Sequence, residues 1–305
     1  MKIEKIHTCT GHRAAVYALA PGKDERHFLS AGGDGWVAEW NLDDPETGQL
    51  AASTEVQIFS LCSLPDGRLV AGDMNGGVRW VDRSMPENTR NIQHHGKGTF
   101  DILAAGNWVF TVGGDGILTR WDKEKSRSLE SLQLSNQALR SLSFSEKRKE
   151  LAVGASDNAI YFLDVETFEI KHVVKNAHAN SVFAVAYSPD ARYLLSGGRD
   201  AMLRVWDLEN LESPTPLSSS LTPEQPAHLF TLNHIVFSPE GNLFATASRD
   251  KTLKIWDAQT FQLLKVADTM RFGGHINSVN RLLWLPDCLV SCSDDRTVML
   301  WRVET

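Results

Sequence analysis

A chain of 305 residues can hold two average domains or one large all-β barrel, sandwich or propeller, and 42% hydrophobic with 23% charged residues excludes a disordered, collagenous or coiled-coil polypeptide. The balance of 31 basic against 38 acidic residues argues against a general nucleic-acid binder. Nine tryptophans and 22 glycines are the unusual part of the composition, and they organise the chain.

At the start, Met1 to His7 alternate apolar with polar and include Glu4, so no secretory core is read there. No apolar run approaches the roughly 20 residues that span a bilayer, and a cytoplasmic protein without membrane contact is expected. The four cysteines, Cys9, Cys62, Cys288 and Cys292, show no disulfide framework. Cys288 and Cys292 flank the strand-like run Leu289-Val290-Ser291, which favours buried apolar thiols over a metal clasp. Neither a metal nor a cofactor is expected.

From there on the chain repeats. An acidic or amide turn residue is followed six positions later by a large apolar slot, in the pairs Asp34/Trp40, Asn75/Val81, Asp115/Trp121, Asp157/Leu163, Asp200/Trp206, Asp250/Trp256 and Asp295/Trp301. Trp80 lies one residue out of phase, because Val81-Asp82 occupies the register of the other Trp-Asp pairs. A second slot lies 20 to 22 residues before each turn, at His12, Thr54, His95 (or His94), Ser135, His178, His228 and His275. Within a copy the pattern predicts short strands: the apolar run Ser181 to Tyr187, a turn at Ser188-Pro189-Asp190-Ala191, a strand at Tyr193 to Ser196, and another from Met202 to Trp206. A fourth, more polar strand follows, as at Phe168-Glu169-Ile170-Lys171. After Trp301 only four residues remain, while Ile3 to Ile6 precede the first copy without a sheet of their own. The N-terminal strand, about residues 2–7, is therefore expected to complete the last copy and remove exposed edges. Seven copies fill 1–305 as one domain.

The copies Leu195-Ser196-Gly197-Gly198-Arg199-Asp200 to Trp206-Asp207 and Ala245 to Trp256-Asp257, with the dipeptides Gly11-His12 and Gly274-His275, resemble the WD40 repeat. The resemblance implies an all-β, seven-bladed WD40 β-propeller of four-stranded antiparallel blades. It also implies that the recurring histidine, hydroxyl, aspartate and tryptophan, for example His178, Ser196, Asp200 and Trp206, form a buried hydrogen-bond network rather than a catalytic triad. Repetition supports this, since catalysis needs one constellation. In copies two and four several members are lost together, through Ala71 and Val81 and through Val153 and Leu163.

In this family the loops before the first strand and between the second and third form the usual recognition face. By that resemblance two positions per copy point there. The first set is Tyr17, Phe59, Phe100, Arg140, Phe183, Asn233 and Asn280; the second is Gly33, Met74, Gly114, Ser156, Arg199, Arg249 and Asp294. Aromatic anchors beside arginine forks suit a protein or peptide partner, and an acidic peptide fits better than a basic one. Packing between blades is the competing explanation for the phenylalanines, and Asp294 offers Arg249 an internal partner. The expected function is a non-catalytic protein-interaction scaffold. The alternatives are a subunit or substrate receptor of a larger complex, ubiquitin-ligase-like or RNA-processing, and an enzyme with its site in the central channel. The Pro- and Ser-rich segment 212–226 reads as an exposed insertion, and Lys147-Arg148-Lys149 as a solvated turn tip.

Overall fold

The computed structural model describes residues 1–209 and 226–304. These form seven antiparallel sheets that follow one another along the chain. Blade 1 is Val16–Pro21, His27–Gly32, Trp36–Asn41 and Asp44–Ser53. Blades 2, 3, 4 and 6 repeat this four-stranded order, beginning at Ile58–Ser63, Thr99–Ala105, Leu139–Ser145 and Leu232–Phe237. Blade 5 has three described strands, Val182–Tyr187, Tyr193–Gly198 and Leu203–Asp207. Of the segment 212–226, only Pro226 lies within the described residues. Blade 7 is Val279–Leu285, Cys288–Ser293 and Val298–Glu304, completed on its outer edge by Lys2–Cys9, with Lys2 opposite Glu304 and Cys9 opposite Val298. The N-terminal strand thus closes the ring, and it runs two residues beyond the expected span. Each blade's first strand touches the first strands of both neighbours, and the contacts return from Val279–Leu285 to Val16–Pro21. Between blade 6 and His275 the chain makes a one-turn helix, Thr269–Phe272, capped by the Asp268 carboxylate accepting from the Arg271 N–H.

The turn residues explain why the repeat keeps its spacing. The residue after each turn acid or amide is left-handed: Gly35, Gly76, Gly116, Asn158, Ala201, Lys251 and Arg296, with φ from 64° to 90°. Only three of these are glycine, so the turn is held by more than conformational freedom. In six copies the acid accepts the backbone N–H two positions on, as Asp34 does from Trp36 at 3.1 Å and Asp250 from Thr252 at 3.0 Å.

The apolar core is divided among seven clusters, one at each junction between blades. Every slot residue faces the preceding blade. Trp40 packs with Val290 and Leu300 of blade 7, Val81 with Leu29 and Val37 of blade 1, and Trp301 with Ala245 and Ile255 of blade 6. Trp80 points the opposite way because side chains alternate along a strand. It fills the junction with blade 3, its ring 6.1 Å from that of Trp121, and its Nε1 has no hydrogen-bond partner. Cys9, Cys288 and Cys292 are buried in the junction between blades 7 and 1, where burial pushes the Cys288 and Cys292 thiols up to about 11 and about 12. The Lys147 to Lys149 turn is more than a solvated tip. Arg148 Nε donates to Glu150 at 3.1 Å, and that buried carboxylate also takes Lys171 Nζ at 3.1 Å and the Tyr187 hydroxyl at 2.9 Å.

Five copies carry the complete polar network. Trp40 Nε1 donates to Ser30 Oγ at 2.8 Å, Ser30 lies 2.8 Å from His12 Nε2, and His12 Nδ1 lies 2.8 Å from Asp34. An indole can only donate and a carboxylate only accept, so Nδ1 carries the ring proton and the serine donates to Nε2. The same chain runs through His95, Thr111, Asp115 and Trp121, through His178, Ser196, Asp200 and Trp206, through His228, Thr246, Asp250 and Trp256, and through His275, Ser291, Asp295 and Trp301. His95 therefore holds the slot, while His94 donates to or accepts from Thr119 at 2.8 Å and packs on Trp121. Burial lowers the pKa of His95 and His228. Burial opposes ionisation of Asp250 and Asp295, but the hydrogen bonds from His228 and His275, from Thr252 and Thr297 and from the backbone together outweigh it and hold both carboxyls well below the usual range.

The two incomplete copies are repaired differently. In blade 4 the Tyr161 hydroxyl donates to Asp157 at 2.6 Å, and burial together with that carboxylate raises the phenol to about 12. In blade 2 the turn carboxylate is Asp73, two residues before Asn75. It accepts the N–H groups of Asn75 and Gly77 and Arg79 Nε at 3.1 Å. His178→Ala would leave the buried Ser196 hydroxyl without its acceptor and Asp200 without its imidazole donor, and we predict a loss of about 1–3 kcal/mol in denaturant unfolding. Unchanged unfolding would refute the structural role of the network.

Candidate interaction site at the channel mouth

The first strand of every blade contains one residue too many for its ladder. Pairing with the second strand skips from Val16 to Ala18, Ile58 to Ser60, Thr99 to Asp101, Leu139 to Ser141, Val182 to Ala184, Leu232 to His234 and Val279 to Arg281. The residues left out are Tyr17, Phe59, Phe100, Arg140, Phe183, Asn233 and Asn280. A bulge re-aims the extra side chain, and all seven line one cavity of about 320 Å³ at the end of the channel. The second set sits at the same end. The backbone N–H groups of Gly33, Met74, Gly114, Ser156, Arg199, Arg249 and Asp294 donate to the loop before the first strand of their own blade, as Arg199 does to Ser181 at 2.9 Å and Arg249 to Thr231 at 3.0 Å.

The wall is continuous from blade 1 to blade 5. Tyr17 meets Phe59 edge-on at 5.3 Å, Phe59 stacks with Phe100 at 5.8 Å, and the Arg140 guanidinium lies 4.5 Å from the Phe100 ring centre and 5.0 Å from that of Phe183. Phe59 and Phe100 pack on each other and Phe183 on Arg140, and all three remain only half-buried, so they both join blades and present ring surface to the cavity. Arg140 Nε donates to Ser156 Oγ at 2.9 Å. Burial and then the nearby Arg199 lower its pKa. Among the described residues, Arg140, Arg199 and Arg249 form no ion pair with a carboxylate.

The opposite wall is amide. Asn233 Nδ2 donates to Val279 O at 2.8 Å, and Asn280 Nδ2 donates to Val16 O and to Asp294 Oδ1, both at 2.8 Å. Asp294 is therefore engaged by Asn280 and not by Arg249, contrary to the expected pairing, because the bulge turns Asn280 toward it. Spacing did not single out the residues one step past the bulge. Ser141, His234 and Arg281 also line the cavity, and Arg281 Nη2 reaches across to Asp101 Oδ1 at 2.8 Å. The available signal was a charged or imidazole side chain inside an otherwise apolar inner strand. Loops of the same face also expose Leu229, Phe230 and Ile276, by 81%, 59% and 66%.

Asn280→Ala removes the tie between blades 7 and 1 and is expected to lower stability by about 1 kcal/mol. Arg199→Ala, at an exposed position without a charged partner, is expected to change it by less than about 0.5 kcal/mol. Denaturant titration of the two variants checks the contrast, and an equal loss in both would contradict the geometry.

The family model described as WD domain, G-beta repeat matches residues 3–41, 169–207, 219–257 and 267–302. Blades 2 and 3 and the first three strands of blade 4 lie outside these matches although they share the architecture, and blade 3 has the complete polar network. Striatin-4 of Homo sapiens is 26% identical over 235 residues, 69% of this chain and 31% of that protein. Anaphase-promoting complex subunit cdh1 of Dictyostelium discoideum is 25% identical over 190 residues, 62% of this chain and 20% of that protein. The chain thus spans a third or less of the length of these relatives. The solved WD40 β-propeller domain of Doa1 superposes with a TM-score of 0.84 at 17% identity, covering 100% of this chain and 98% of that one. Repeats, closure and matched segments together make this chain a member of the WD40-repeat family.

Proposed function

We propose that residues 1–305 act as one non-catalytic propeller domain that holds an acidic peptide or protein segment at the channel mouth. The observation that carries this reading is the group of arginines at one end of the channel that have no carboxylate partner among the described residues. Arg140 is partly desolvated and repelled by Arg199, so an arriving carboxylate relieves an unfavourable interaction as well as forming a forked one. The aromatic wall supplies rigid apolar contact, and Leu229, Phe230 and Ile276 extend it outward. The Ser, His and Asp sets are read as framework because their hydroxyls and imidazoles are buried and each hydroxyl also accepts an indole N–H. Membership of a larger assembly is compatible with this reading, since a relative is named as a subunit of the anaphase-promoting complex. No helix among the described residues is long and apolar enough to cross a membrane.

The test uses fluorescence anisotropy with a dye-labelled, C-terminally amidated peptide of Glu, Phe and Gly, beside its counterpart with Gln for Glu. The Glu peptide is expected to bind at least about tenfold more tightly, a difference of about 1.4 kcal/mol. Arg199→Glu combined with Arg249→Glu is expected to remove that preference while leaving thermal unfolding unchanged. Equal behaviour of the two peptides, or full retention of the preference by the double variant, would refute the proposal.

A further inference from the structure

In six of the seven copies a nitrogen base of the chain itself meets the turn carboxylate. An imidazole donates to Asp34, Asp115, Asp200, Asp250 and Asp295 at 2.8 to 3.1 Å, and in blade 2 the Arg79 guanidinium donates to Asp73 at 3.1 Å. Blade 4 has no such base. Its histidine slot holds Ser135, and among the described residues Asp157 accepts only the Ala159 N–H at 3.1 Å and the Tyr161 hydroxyl at 2.6 Å. The five complete copies also give their carboxylate the N–H of the residue after the histidine, as Ala179 does to Asp200 at 3.0 Å. Asn136, the corresponding residue of blade 4, makes no such bond to Asp157. A carboxylate has about four lone-pair sites, so Asp157 keeps accepting capacity that its counterparts spend on the framework.

The short side chain in the slot leaves space. Ser135, Asp157 and Tyr161 line a cavity of about 390 Å³ that shares no residue with the cavity of the channel mouth, and the exposed Asn136 and Gln137 form its rim. Its loop is fixed from below. Gln133 Nε2 donates to the carbonyls of Asp115 and Ser135 at 2.8 and 2.6 Å, and Ser135 Oγ accepts the Gln137 N–H at 3.0 Å. The cavity is therefore preformed, and its volume falls in the range of ligand pockets, roughly 300–1,000 Å³. The lining carries one carboxylate and no Lys, Arg or His, so an entering cation meets attraction without repulsion from the wall. The half-buried Tyr161 adds a ring on which a flat cation stacks.

We propose that this cavity takes an arginine side chain presented by a partner protein, with its guanidinium on Asp157 and against the Tyr161 ring. The other copies of the chain show the fit. Five supply an imidazole to the equivalent carboxylate, and blade 2 supplies a guanidinium from Arg79, two positions before its slot residue, which is the position Tyr161 holds in blade 4. The tyrosine hydroxyl reaches the carboxylate but brings no positive charge, so that charge is left to come from outside. A guanidinium suits the site better than an ammonium, because its planar fork matches a carboxylate and stacks on a ring. The formal net charge of −7 favours the approach of a basic partner surface. The inference stands independently of the channel mouth, where arginines of this chain receive an acidic segment.

Two short peptides of Gly and Ser, blocked at both ends, carry at their centre either arginine or its neutral isostere citrulline. Each is titrated into the isotope-labelled chain and followed by amide NMR. The arginine peptide is expected to shift the backbone signals of Asn136, Gln137 and Ala159 and to bind about fivefold more tightly than the citrulline peptide. Asp157→Asn keeps an acceptor for Ala159 and Tyr161 and is expected to erase that preference. Ser135→His returns an imidazole to the slot and is expected to block the cavity, so that neither peptide moves those signals. The Arg199→Glu with Arg249→Glu variant is expected to leave the arginine preference intact, which separates failure of this site from failure of the mouth. Equal binding of the two peptides by the wild-type chain, shifts confined to other surfaces, or an undiminished preference in Asp157→Asn would overturn the inference. Should Ser135→His fail to fold, Asp157→Asn decides alone.

Discussion

A bulge in the first strand of each blade is the constraint on which the rest of this molecule depends. One extra residue interrupts the inner ladder seven times at the same level of the ring, and the interruption turns seven side chains into one cavity. Had the inner strands been regular, those positions would alternate between the junctions on either side of a blade and the channel would have a plain wall. The site is thus a by-product of closure. It is rigid for the same reason, since each bulge is flanked by residues in the apolar junctions, such as Val16 and Leu139.

Closure itself combines three kinds of interaction. The outermost strand of blade 7 comes from the other end of the chain, so opening the ring exposes strand edges as well as apolar surface. Each slot residue presses on the blade before it, which makes every junction depend on its neighbour. The polar networks then fix the turns beside the loops of the channel mouth. Because each runs from a donor-only indole to an acceptor-only carboxylate, every member has a partner, and the hydroxyls and imidazoles between them are buried.

Much of this architecture was legible in the sequence because it is local and repeated. The spacing of turn acid to slot identified Trp80 as displaced and Val81 as the resident, and the blade 2 register agrees, with Leu69 opposite Val81 and Val70 opposite Trp80. The closing strand was legible from an unmatched segment at each end. What spacing could not carry was anything made once. Tyr161 taking the place of a histidine beside Asp157, and Asp73 with Arg79 standing in for the network of blade 2, are local inventions in otherwise ordinary copies. The Arg281–Asp101 bridge joins residues 180 positions apart across the channel, and no repeat period points to it. Asp294 pairs with Asn280 rather than with the Arg249 it could have served, because the bulge that brings Asn280 to it is invisible to a count of residues. The charge balance shows the same limit: a chain with a formal net charge of −7 collects at one end of its channel arginines that have no ion-pair partner among the described residues.

The claim that this mouth is where a partner sits is tested most directly by hydrogen–deuterium exchange of the chain with and without the labelled Glu peptide. Exchange is expected to slow in the bulge segments around Tyr17, Phe59, Phe100, Arg140 and Phe183 and in the turns at Arg199 and Arg249, with no change in the outer strands. Protection confined to the outer strands or to the opposite face would contradict it.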